Sequence, residues 1–117
     1  MISQLRHFVA SQLDGCTLPV HSYKPDDVGE VPCVVVDRPT IDVNVQLKTV
    51  TMAVIVIGRR DGTEDAQMEL DDTTSEVAHM LAGPDLAVDR IEPATAVVAE
   101  LTYPAYVVSL SCGPAIC

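Results

Sequence analysis

Aromatic residues are nearly missing from this chain: among 117 residues there is no tryptophan, one phenylalanine and three tyrosines. Platforms on which bases or sugars could stack are therefore scarce, and a core must be built from Val, Ile, Leu, Ala and Met. Basic residues are also few. Seven Lys and Arg stand against seventeen Asp and Glu, a formal charge of −10, so phosphate backbones are repelled and specific nucleic-acid binding is not expected. The longest apolar run, Met52 to Ile57, is far too short to cross a bilayer. The amphipathic stretch Ile2 to Leu13 is interrupted by Gln4, Arg6, His7 and Gln12, unlike the apolar segment of a signal peptide. No membrane is expected as a partner, and the chain reads as folding in the cytoplasm with free thiols.

Catalytic and cofactor signatures are absent from the sequence as well. Cys16, Cys33, Cys112 and Cys117 do not form the closely spaced pairs of a zinc site. Cys112 and Cys117 come nearest, but Gly113-Pro114 between them makes a poor chelate. His7, His21 and His79 have no cysteine beside them and no nucleophile elbow is present. The reading is a non-enzymatic chain with no cofactor and no metal.

What is present suits one globular domain spanning 1–117. Hydrophobic residues make up 48% and charged residues 21%, a composition that folds rather than one that stays disordered. Ile2, Leu5, Phe8, Val9 and Leu13 follow helical spacing, with Gly15 as a stop. Val31 to Asp37 is β-branched and reads as a strand ended by Pro39. Ile41 to Lys48 alternates apolar and polar residues, a strand wet on one face. Val50 to Ile57 is apolar on both faces, a central strand. Asp61 with Glu64 predicts a capping box for a helix from about Gly62 to Leu81, with Ala66, Leu70, Val77 and Leu81 buried. Leu86 to Glu92 reads as extended up to Pro93. Ala94 to Leu101 and Ala105 to Ser111 then read as a hairpin turning at Thr102-Tyr103-Pro104. The fold expected is α+β: two helices on a largely antiparallel or mixed sheet of four to five strands.

Two features could carry function. The turn Gly58 to Thr63 places Arg59 and Arg60 between a strand and a helix, where phosphate cradles form. Asp61 and Glu64 oppose an anion there, and the plainer reading is a capped turn. The second feature is the strand 50–57. Either one helix covers each face of the sheet, or both helices share a face and a second subunit closes the other.

The run Val31 to Pro39 followed by the apolar strand Thr49 to Ile57, the segment Asp65 to Asp71 on a long helix and a Tyr-containing closing hairpin resemble the tail-terminator (head–tail joining) proteins of long-tailed bacteriophages. The resemblance covers nearly the whole chain through loose motifs. It implies a virion structural protein of the tail or neck, made in the host cytoplasm. Such a protein assembles with itself as a hexameric ring, ends tail-tube polymerisation and meets the tail-tube and head-connector proteins, while DNA passes through the ring. Under it, Arg38, Asp42, Asn44, Gln46 and Lys48 resemble a projecting loop that contacts neighbours. Arg59 and Arg60 join them as candidate contact residues. Two other classes remain: a small ligand-binding or regulatory α+β domain using the Gly58 to Thr63 turn, and an enzyme using surface carboxylates.

Overall fold

The computed structural model describes residues 2–16, 18–21, 31–38, 40–43, 48–83 and 86–112. Its elements run α1 (Ile2–Gln12), β1 (Val20–His21), β2 (Cys33–Val36), β3 (Thr40–Val43), β4 (Lys48–Ile57), α2 (Glu64–Leu81), β5 (Leu86–Val98) and β6 (Leu101–Cys112). The chain is an α+β fold, with one mixed sheet and two helices among the described residues. In the sheet order β1-β2-β4-β6-β5, β3 pairs with β4 off that path. β2 and β3 share one lane: β2 pairs with residues 54–57 of β4 and β3 with residues 48–51. Between Val36↔Val54 and Thr40↔Thr51 the register moves by one residue. The six strands therefore fill five lanes. All pairs are antiparallel except β1 with β2.

The central strand is β4, as its two-faced apolar pattern predicts. Val50, Met52, Val54 and Val56 point to one face and are each at most 3% exposed. They form the main core with Leu5 and Val9 of α1, with Leu13 just past its end, and with Leu70, Val77 and Leu81 of α2. Both helices thus lie on the same face. The expected stripe of α2 is buried, and Thr73 and Thr74 join it; the Thr74 hydroxyl donates to the Leu70 carbonyl at 2.7 Å, satisfying a buried oxygen within the helix.

The helix start differs from the expected capping box. Thr63 is the N-cap, its hydroxyl accepting from the Ala66 amide at 3.1 Å. Asp61 lies two residues upstream, because Gly62 with φ 66° inserts a left-handed residue between the turn and the helix. Gly58 is needed for a different reason: a Cβ there would lie 3.1 Å from Leu70 Cδ2, so the strand-to-helix turn runs directly under α2.

Three strand expectations need correction. The alternating run 41–48 is not one strand: Val43 of β3 pairs antiparallel with Lys48 of β4, and 44–47 lie outside the described residues. Alternation alone cannot distinguish one strand from two that fold back. Leu86 to Glu92 and Ala94 to Leu101 are not separate segments, since β5 runs through Pro93. The hairpin turns at Ala99-Glu100, not at Thr102-Tyr103-Pro104, with Val98 paired to Leu101. Ala99 (φ 52°) and Glu100 (φ 67°) both take positive φ, the requirement of a two-residue type I′ turn. This places Leu101 on the face of Val98 rather than that of Val97.

Both prolines fit because of where their nitrogens point. The Gly58 amide donates to the Pro104 carbonyl at 2.8 Å, so Pro104 turns its backbone polar groups toward the β4 lane just past that strand's end. Its partner Thr95 then faces away from β6, and Pro93, two residues earlier, does too. Pro93 therefore withholds a donor only from the free edge of β5, a placement that blunts strand addition. A bulge at Asp89, between the pairs of Val88 and Arg90, twists the same edge.

Candidate functional site

Among the described residues, the face of the sheet away from the helices is closed only in part. A second, smaller cluster there joins Cys33 and Val35 of β2, Ile57 of β4, Val98 of β5 and Tyr103 of β6. In lane order Val98 is three lanes from Cys33, so the hairpin end beyond β4 curls back over this face. Further along the sheet, Ala53, Ile55, Val107 and Ser109 are half-buried and Thr51 is exposed. Burial raises the Cys33 thiol from 9.0 to about 11, the behaviour of an inert core residue.

Arg60 ties the curled hairpin to the β4–α2 turn. Its Nε donates to the Thr102 carbonyl at 3.0 Å, and its guanidinium lies 5.6 Å from the centre of the Tyr103 ring. Arg59 lies 3.7 Å from Asp61 and 3.2 Å from Glu69, the second contact being an ion pair without hydrogen-bond alignment. Both arginines of the turn are thus held by groups of their own chain. The helix N-terminus beside them already has Thr63 as cap and Asp61, Glu64 and Asp65 as negative charge. An incoming anion would meet occupied cations and three carboxylates.

A cavity of about 570 Å³ opens where the hairpin end overhangs the sheet. Val35, Ile55 and Ile57 form its floor, the segment Thr95 to Val98 one wall, and Arg6, Asp37 and Arg38 its polar part. Arg6 reaches it from α1 with only 6% exposure, its Nη2 donating to the Val36 carbonyl at 3.0 Å. That carbonyl faces away from β4, because the next residue, Asp37, turns its amide to the Ala53 carbonyl of β4. The Arg38 amide donates to Asp37 Oδ1 at 2.8 Å, while its exposed guanidinium has no partner among the described residues. Among the described residues, Arg6, Asp37 and Arg38 thus meet at the edge of an apolar floor.

Among the described residues, Arg38 is the candidate contact residue that lines this cavity. Asp42 is paired in the backbone opposite Thr49 and Lys48 opposite Val43; their side chains, and Asn44 and Gln46 entirely, lie outside the described residues. Arg59 and Arg60 belong to the hairpin anchor. Sequence reasoning missed Arg6, read there as a polar break in an apolar stripe, and missed Thr95 to Val98. Their only signal was a basic residue on the apolar side of a helix in a chain poor in basic residues. Among the described residues there is no group of three or more His, Cys, Asp or Glu able to hold a metal ion, and no helix long and apolar enough to cross a membrane. Compared with protein-family models and with curated protein sequences, the chain matches none.

Proposed function

We propose that this chain is a non-enzymatic structural protein of a phage virion, assembling as a ring at the end of the tail tube, stopping tube growth and presenting the head-joining surface. The observation that carries the reading is the placement of both helices on one face of the sheet. The other face keeps Ala53 and Val107 half-buried under no element of their own among the described residues, the arrangement that a neighbouring subunit would complete. The whole-chain resemblance in the sequence supplies the identity of that assembly. The charge of −10 suits a ring that passes DNA without holding it.

Light scattering of the isolated protein, and electron microscopy of tail-tube protein polymerising with and without it, test the reading. Closed rings and tubes of limited length are the expected result. Tubes that grow unchecked in its presence would refute it. A second reading, a small ligand-binding domain, draws support from the cavity rather than from the Gly58 to Thr63 turn, whose arginines are engaged.

A further inference from the structure

We propose that the outer half of the β5 edge, Ala94 to Val98, is a docking site for an extended segment of a partner protein that brings a basic residue to Glu100. The contact is strand addition to the sheet, and it does not depend on the ring reading. Among the described residues, β5 is the last strand of the sheet and nothing pairs with its outer side. Such an edge is a template for another strand unless the chain guards it.

The guard covers one half only. From Leu86 to Pro93 the edge carries a bulge at Asp89, the charges of Asp89, Arg90 and Glu92, and the proline nitrogen of Pro93. From Ala94 to Val98 it has no charge, no proline and no shift of register. Thr95 turns its backbone groups away from β6, and the alternation of an antiparallel ladder makes Val97 do the same. Two amides and two carbonyls therefore point outward in a row. The side chain of Val97 beside them is 56% exposed. On the opposite face Ala94 and Ala96 are small, which leaves room for the larger side chains of an added strand.

Charge selects the occupant. The open stretch lies between Glu92 and Glu100, both exposed, in a chain with a formal charge of −10. Glu92 makes an exposed ion pair with Arg90 at 3.0 Å, so Glu100 is the acid that an incoming basic group reaches. A second copy fits poorly. Pairing Thr95 of one copy with Val97 of the other, and the reverse, sets Glu92 of each against Glu100 of the other, and like charges opposite each other destabilise a ladder. A β-branched segment ending in Lys or Arg satisfies both the ladder and the acid.

Fluorescence anisotropy of the labelled heptapeptide Lys-Thr-Val-Thr-Val-Thr-Lys, titrated with the full chain, tests the site. Thr95→Pro removes an outward amide and keeps the bonds to β6, as Pro93 does, and circular dichroism reads whether it folds. Glu100→Lys reverses the charge of an exposed turn residue. Saturable binding to wild type is expected, and binding at least about tenfold weaker to Thr95→Pro, the effect of one or two lost hydrogen bonds. The peptide with Glu in place of Lys should prefer Glu100→Lys to wild type. N-methylation of the internal amides of the peptide should abolish binding, a control that needs no protein variant. No binding to wild type at ~1 mM, or equal binding of the methylated peptide, would overturn the proposal. So would self-association in sedimentation velocity that Thr95→Pro abolishes, which would assign the edge to a second copy.

Discussion

The reversal at Ala99-Glu100 can be tested by a double substitution whose sign depends on where the hairpin turns. Both residues hold positive φ, 52° and 67°, a conformation that costs a residue with a Cβ roughly 1–2 kcal/mol. Asn-Gly is the pair that a two-residue type I′ turn prefers. Glu100→Gly removes the penalty at the second position but adds about 0.5–1 kcal/mol of unfolded-chain entropy. Ala99→Asn relieves part of the penalty at the first, since Asn tolerates the left-handed region. The net expectation is a gain of about 1–2 kcal/mol, which for a domain of this length raises Tm by roughly 4–8 °C. Differential scanning calorimetry of A99N/E100G against wild type reads it directly. If the chain instead turned at Thr102 to Pro104, the new glycine would fall inside a strand and cost about 0.5–1 kcal/mol. A Tm that falls or stays unchanged would refute the register from which the curled hairpin, and hence the cavity, is built.

Three further outcomes follow from the second cluster. Cys33, fully buried and raised to about 11, should have on the order of a hundredfold less thiolate at pH 8 than an ordinary thiol. Mass spectrometry after brief alkylation should find half-buried Cys16 modified and Cys33 intact, and equal modification would contradict the packing. Because the folded value lies above the unfolded one, the contribution of Cys33 to stability is complete below pH 9 and is lost as pH rises toward 11, up to about 2–3 kcal/mol in all. Arg60→Ala removes the bond to Thr102 and the contact with Tyr103 and should cost about 1–2 kcal/mol. Amide exchange should quicken most at the hairpin end; uniform acceleration across the sheet would show that Arg60 is no local anchor.

Much of the fold was legible because its causes are local. The 3.6-residue stripes of Leu5, Val9 and Leu13 and of Ala66, Leu70, Val77 and Leu81 identify both helices, and those residues are buried in the structure. The two-faced apolar strand is central. Two prolines misled the reading of β5 and β6. Pro93 and Pro104 break strands in a one-dimensional reading, whereas the sheet order turns one nitrogen to a free edge and the other past the end of β4. Which way a nitrogen points depends on the partner strand, and the sequence does not contain the partner.

The candidate site shows the same division. Arg38 was singled out only as part of the projecting loop that the resemblance implies, and its meeting with Arg6 needs α1 to pack beside the β2 edge. That packing leaves the Val36 carbonyl to be satisfied by a side chain 30 residues away. The missing aromatics, the acidic excess and the two-faced strand were determined by the sequence alone. That both helices take the same face, and that the hairpin curls to shelter only part of the other, was decided by tertiary structure. Composition sets how much apolar surface must be buried, and only the meeting of distant segments decides which of it the chain can cover by itself.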